Sequence, residues 1–430
     1  MGVPYKGFVR LVVLMILAVG LAASVRGQDL GERNAAPAEG VAGKATQTSD
    51  AADVDSAASG HLRPLEERET LTGRYFGLGR TLADAGIESS LDLWMLYQAL
   101  VDGGLDSDDG TSGFYYFSNH FDLEKLVGLK GASVFARVDG SWDNGINEAV
   151  GALVPVNALT YGDHAIGITQ LWFEQTLLDK RLRIRIGKED VSQNSFDFHG
   201  QSVSFDAMAY ANFQGTQFVH QGLVNNASIP FPESGPGAVV LFEPVDRIYV
   251  AGAGVSTSSE NFTLFGSGDF DKWMFLGEAG FVAQPGGLAG QYYAGYWNAD
   301  FEDAPSAKGI YLGMAQSLYR EPGRKEQGLG VFARYGHGND QAIENFWSVG
   351  LQYQGLFQGR DRDIFAIGWA QSFTTGGEFD KPSEGALESY YRARLTPWFH
   401  VSPHVQYIVN PGSSDVENAL TLGVRAQVAF

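Results

Sequence analysis

No cysteine occurs in the 430 residues of this chain. That excludes disulfides, thiolate zinc sites, iron–sulfur clusters and a cysteine nucleophile. Basic residues are scarce, 30 Lys and Arg against 50 Asp and Glu, for a formal net charge of −20. With a pI near 4.7 and no basic block, the chain is no nucleic-acid binder, because counterion release needs clustered Lys and Arg. Proline is limited to 15 residues, whereas glycine reaches 55 and aromatics 13%. That balance suits a β-rich chain with many turns. Hydrophobic residues at 44% with charged residues at 19% rule out global disorder. The G-x-S-x-G, H-E-x-x-H, G-x-x-x-x-G-K and G-x-G-x-x-G signatures are missing. Carboxylates are plentiful, but none has a setting that marks a glycosidase pair. His400 and His404 share a strand face without a third ligand, and Asp106–Gly110 lacks the later glutamate of an EF-hand. The chain therefore reads as a non-enzyme with no catalytic residue, cofactor or metal.

Long apolar runs are absent except for Leu11–Ala23, which follows Lys6 and Arg10 and ends before Arg26-Gly27-Gln28. A charged start, a short apolar stretch and a small-residue exit predict a secretory signal peptide over 1–27. The run is too short to span a bilayer comfortably as a helix. Cleavage would remove Lys6, Arg10 and Arg26 and take the charge from −20 to −23. Residues 28–65 are rich in Ala, Gly, Ser, Thr and Asp, and predict a disordered, acidic low-complexity tail. Residues 66–88 predict a short helical or plug segment, ending at Gly86.

From residue 89 to 430 the pattern has period 2. Leu182, Ile184 and Ile186 alternate with Arg181, Arg183 and Arg185. In the last segment Leu420, Leu422, Val424, Ala426, Val428 and Phe430 oppose Thr421, Gly423, Arg425 and Gln427. Such alternation predicts strands with one apolar and one polar face. About sixteen runs begin near residues 89, 113, 131, 165, 181, 237, 247, 273, 289, 308, 327, 345, 362, 387, 399 and 418. A soluble sandwich could also hold such strands. The polar face, however, mixes Arg, Glu, Gln, Trp and Tyr. Aromatics cluster near strand ends at Tyr292-Tyr293, Tyr296-Trp297, Tyr390-Tyr391 and Trp398-Phe399, as in the interfacial girdles of membrane barrels. An even strand number, strands near ten residues, polar loops and a leader all predict an all-β, 16-stranded antiparallel transmembrane barrel over 89–430. It must close, because open strand edges are too costly in lipid.

The blocks TLADAGI (81–87), LWFEQTLLDKRLRIRIGKED (171–190), GIYLGMAQSLYRE (309–321), QGLGVFARYG (327–336), LQYQGLFQGRDRDIFAIGWA (351–370) and the closing stretch from ESYYRARLTPWFH to ALTLGVRAQVAF (388–430) resemble the carbohydrate-selective porin family, the OprB type. The resemblance runs from about Leu71 to Phe430. It implies an outer-membrane porin of a diderm bacterium that passes small, glucose-like sugars by diffusion. It further implies a channel narrowed by inward loops, with arginine, acidic and aromatic groups at the constriction. Outer-membrane lipid and lipopolysaccharide would surround the barrel, and the assembly machinery would engage the strand ending in Phe430. The chain departs from the family in its acidic tail and in its long 191–236 loop, which is long enough to fold inward.

Alternation then nominates the channel-lining residues Arg137, Asp139, Trp172, Glu174, Arg183, Arg185, Arg334, Tyr390, Arg392 and Arg394, with Phe135, Gln170, His404, Gln406 and Arg425 beside them. Arg presents a planar fork of donors to hydroxyls, Glu accepts, and Tyr and Trp offer flat faces to sugar C–H groups. Each Arg placed against lipid instead would cost about 2–4 kcal/mol at mid-membrane. Some arginines could equally brace the wall through Glu174 or Asp139. A non-selective pore, or a secreted carbohydrate-active β protein, remains the alternative reading.

Overall fold

The computed structural model describes residues 64–430 apart from 160–161, 194, 259–270, 303, 325 and 377–378. The expected leader, and the expected tail up to residue 63, lie outside the described residues. The chain forms strands β1 (Ile87–Asp102), β2 (Asp109–Asp122), β3 (Ala132–Trp142), β4 (His164–Leu177), β5 (Leu182–Glu189), β6 (Phe196–Phe198), β7 (Gln201–Val203), β8 (Gly235–Val245) and β9 (Ile248–Ser256). There follow β10 (Trp273–Ala283), β11 (Gly290–Ala299), β12 (Ala307–Arg320), β13 (Gly328–Asn339), β14 (Ile343–Gln354), β15 (Ile364–Thr374), β16 (Ser383–Thr396), β17 (Phe399–Val409) and β18 (Ala419–Ala429). Sixteen of these close into an antiparallel barrel, each strand pairing with the next and β1 pairing with β18. β6 and β7 form a separate hairpin inside the β5–β8 connection. Among the described residues no helix is long and apolar enough to cross a membrane. Fifteen of the sixteen barrel strands reach the ~9 residues that a crossing strand needs, and β5 falls one short with 8.

Period 2 decides the two faces. Ile186, Val240, Val349, Leu351, Val405, Leu422 and Val424 are exposed on the outer surface, while Arg137, Glu174, Arg334, Glu388 and Arg425 are buried inside. Three of the four expected girdle pairs divide in the same way, while Trp398 and Phe399 are both buried against the N-terminal segment. Tyr292 and Tyr296 point outward, whereas Tyr293, Trp297 and Tyr390 are buried within the barrel. Neighbouring residues of one strand cannot both face lipid, so only one ring of each of these pairs can join a girdle.

The inner wall is not uniformly polar, contrary to expectation. Over β8–β15 it carries Val239, Leu241, Met274, Leu276, Trp297, Phe332 and Phe346, which pack with Phe196, Phe205, Met208, Phe218 and Leu223 of the β5–β8 connection. The main hydrophobic core therefore lies in the lumen. Glycine makes this dense packing possible. A Cβ on Gly313 would lie 2.1 Å from the Tyr293 ring, and one on Gly295 would lie 2.1 Å from the Tyr311 ring. These tyrosines lie flat over the neighbouring strand because its side chain is missing.

The N-terminal segment ends where Gly86 turns with φ +97°. Ahead of it stand short helices at Gly73–Phe76 and Leu78–Asp84. The segment lies along the rim where the barrel strands begin and end. Leu71 N donates to Ala429 O at 2.8 Å, Trp398 Nε1 donates to Leu65 O at 2.8 Å, and Leu65 and Leu71 pack on Trp398, Phe399 and Val428. The ordered chain thus already includes Leu65, which the composition had assigned to the tail.

Candidate channel constriction

Two connections fold into the lumen. The larger, 190–234, is gripped by inward residues of the wall. Arg334 on β13 donates to the carbonyls of Leu223 (3.1 Å), Val224 (3.2 Å), Asp206 (3.4 Å) and Ala211, and its Nε lies 2.7 Å from the Asp206 carboxylate. Tyr293 Oη donates to Asp206 at 2.7 Å. Glu278 on β10 accepts from Tyr249 (2.6 Å), Tyr311 (2.8 Å) and Asp206 N (3.3 Å). Asp206 closes a run, Ser204-Phe205-Asp206, with φ of +86°, +50° and +71°. Left-handed backbone costs a non-glycine residue roughly 1–2 kcal/mol, so this run persists only because the wall holds both ends of it.

Farther along, Glu388 on β16 accepts from Val219 N and His220 N, each at 2.8 Å. Burial pushes His220 down to about 3; the ring is neutral near pH 7 and its Nδ1 accepts from Gly222 N. The second connection, between β3 and β4, is held by Glu384, which accepts from Leu153 N (2.6 Å) and Val154 N (2.9 Å). It is also joined to the first, since Ala158 N donates to Val219 O at 2.9 Å.

The largest loop core packs on β8–β16, and loop residues pack also on β1 and β2, Phe213 and Val219 against Trp94 and Phe114, and on β16–β18, Val150 and Val156 against Ala386, Ile408 and Ala419. On β3–β5, Arg137 Nε lies 3.0 Å from Asp139, and its guanidinium sits 4.3 Å above the Tyr116 ring. Glu174 takes Arg183 at 2.9 Å and Arg185 at 2.7 Å. Arg185 in turn stacks on Trp172 at 4.3 Å and on Phe196 at 4.0 Å, and Trp172 stacks on Phe135 at 4.9 Å. Arg183, Arg185, Glu174 and Trp172 thus form one layered cluster. The ion pairs offered as the bracing alternative for Arg137, Arg183 and Arg185 are all present.

On β16–β18, Tyr390, Arg392, Arg394, His404, Gln406 and Arg425 also point inward. Arg394 lies 3.8 Å from Glu69 of the rim segment. Arg425 donates to the carbonyls of Gln214 and Gln217, and Arg392 donates to Thr216 O at 3.4 Å. All ten nominated residues therefore face the interior, but not equivalently. Arg334 and Tyr390, each 2% exposed, are sealed behind the loop, which they position, and Arg137, Asp139, Trp172, Glu174 and Arg185 are buried as well. Arg183, Arg392 and Arg394 keep partial exposure. Sequence reasoning missed Glu278, Glu384 and Glu388, the carboxylates that hold the loops. Their inward register was legible from alternation, but the backbone amides that they accept from were not.

A model of the carbohydrate-selective porin family matches residues 107–430. The chain belongs to that family. Among its relatives, Porin B of Pseudomonas aeruginosa is 24% identical over 429 residues, covering 84% of this chain and 91% of that protein. Porin AaxA of Chlamydia pneumoniae is 22% identical over 303 residues, covering 67% of this chain and 64% of that protein. The high-pH structure of Pseudomonas putida OprB superimposes with a TM-score of 0.71 at 22% identity, covering 85% of this chain and 99% of that one. At that identity the match shows the fold, a closed 16-stranded porin barrel. Membership of the family joins that fold to the inward loops of this member.

Proposed function

We propose that this porin lets small neutral sugars diffuse passively across an outer membrane, without turnover. The solute passes along the walls that carry Arg183, Arg392 and Arg394, the nominated residues that keep partial exposure. The observation that carries this reading is the layered cluster of Arg183, Arg185, Glu174 and Trp172 on β4 and β5. Arg183, the member that keeps partial exposure, offers hydrogen-bond donors to sugar hydroxyls, and the buried Glu174, Arg185 and Trp172 hold it in place. Weak contacts spread over several positions allow the solute to leave as readily as it enters. Lipid would contact the outer apolar band, and the leader would direct export. The assembly machinery would engage the β18 strand, which ends at Phe430.

Planar-bilayer conductance of the refolded mature protein, with glucose titrated into the salt, tests the reading. Stepwise current reduced by glucose in a concentration-dependent way is expected. Stepwise current indifferent to sugar would leave a general pore. The residue assignment is tested separately. Arg183→Ala with Arg185→Ala is expected to lower sugar selectivity more than conductance. Adding Glu174→Gln removes the carboxylate that the double variant leaves buried and unpaired, so that a folding defect can be told from a lost contact. Equal loss for sugars and for unrelated solutes would refute the assignment.

A further inference from the structure

The lumen arginines fall into two groups. Arg137, Arg183, Arg185, Arg334 and Arg394 all have carboxylate partners. Arg392 and Arg425 make no ion pair among the described residues and donate to loop carbonyls instead. These two share a small area of wall. Arg425 on β18 pairs with Ser402 on β17, and Arg394 on β16 pairs with His400, so Arg392 falls beside Ser402. Arg392, Arg394 and Arg425 all act electrostatically on the His400 ring. The carboxylates on this side are already engaged. Glu388 accepts from Val219 N, His220 N and Gln406, Glu69 faces Arg394, and Asp92 sits nearer the rim, where its charge bears on Tyr75.

Several polar atoms in this area are buried without a hydrogen-bond partner: Arg392 Nε, Arg425 Nη2, His400 Nε2, Trp94 Nε1 and Thr216 Oγ1. Four of the five carry or can carry a donor hydrogen on nitrogen. Arg425 is 1% exposed and Trp94 3%. Glu388 acts electrostatically on Arg425 but spends its hydrogen bonds on Val219, His220 and Gln406, so the buried donors without a partner create a demand for a further acceptor carrying negative charge. Guanidinium forks meet carboxylates in their own plane, with two parallel hydrogen bonds. The patch is cationic although the chain as a whole carries −20.

We infer that the β16–β18 wall is a binding step for carboxylate-bearing sugars, with the partly exposed Arg392 as the carboxylate contact and the buried charge of Arg425 behind it. The inference rests on the sugar-porin reading and names a second solute class for the same channel. The carboxylate docks at Arg392, in the field of Arg425, while the hydroxyls face the wall of β3–β5. Such solutes are the products of oxidising a sugar aldehyde or primary alcohol, so a reaction of that class must supply them outside the cell.

The test uses the full mature protein in planar bilayers, with gluconate, glucose and acetate as probes. Gluconate is expected to block the current at a concentration about tenfold lower than glucose, the effect of one added charge-assisted hydrogen bond. A reversal potential in a potassium chloride gradient is expected to show chloride preference. Arg392→Gln is expected to remove most of the gluconate advantage and to reduce the chloride preference. Arg425 supports the loop and its loss risks misfolding, so the half-exposed Arg392 and the wild-type reversal potential carry the decision. Gluconate no better than glucose would overturn the inference while leaving the sugar reading standing. Acetate as potent as gluconate would overturn the sugar-acid assignment. Current indifferent to all three would overturn the sugar reading itself.

Discussion

Arg334→Met raises single-channel conductance several-fold and abolishes block by glucose, while the barrel itself remains folded. The guanidinium of Arg334 is the only side chain in the described residues that joins Asp206, Ala211, Leu223 and Val224 to one another. Removing it leaves the Asp206 carboxylate with Tyr293 but without its cation, and takes a donor from four buried carbonyls. Breaking a buried pair by removing one partner costs about 3–5 kcal/mol. The loop also loses the support of its left-handed run at Ser204-Phe205-Asp206. Undocking restores those groups to water, so the loop leaves the wall rather than the barrel coming apart. The strand ladders are untouched, because Arg334 contributes to them through its backbone alone. Methionine keeps much of the volume and contributes no charge. Conductance steps in bilayers report the loop, and heat-modifiable migration in detergent gels reports the barrel. Wild-type conductance with intact glucose block would show that the loop stays docked without Arg334. Loss of heat-modifiable migration would show instead that the loop core is needed for barrel assembly.

Val349→Arg is expected to reduce the folded fraction in lipid sharply, and Ser348→Thr, one residue away, is not. Val349 lies near the middle of β14, opposite Ala333 and Trp369, and is 40% exposed on the outer face. A charged side chain there faces hydrocarbon and costs about 2–4 kcal/mol, falling toward the interfaces. Ser348 faces inward and is buried. Its hydroxyl is retained in threonine, so that change leaves the lipid face alone. Urea titration in liposomes measures both. An equally stable Val349→Arg barrel would mean that this face does not meet lipid.

Much of the barrel was legible before any coordinates. Leu422, Val424 and Arg425 take their faces directly from alternation, because a strand has no other way to place successive side chains. The sixteen starts correspond to the sixteen barrel strands within a few residues, since Gly, Asn and Asp punctuate them at the turns. The inward direction of Arg137, Arg183, Arg185, Arg392 and Arg394 follows from the same rule. The apolar inner wall did not follow. Alternation puts Phe332 on the face of Arg334, but Leu276 and Phe346 look like lipid-facing residues by type, and the packing of all three in one core with Phe218 and Leu223 shows that they face a loop. The girdle pairs failed for a related reason, because clustering in sequence was allowed to outweigh period 2.

The sequence by itself determined strand number, the face of residues in cleanly alternating strands, and the family. These depend on local periodicity and on chain order, which one dimension records in full. The tertiary structure decided which inward groups meet. Glu388 reaches Val219, 169 residues away, and Arg425 reaches Gln214, 211 residues away. Those partners meet only because the barrel closes and the loop folds into it. Their contacts depend on shape across the lumen, where no periodicity along the chain relates one residue to the other.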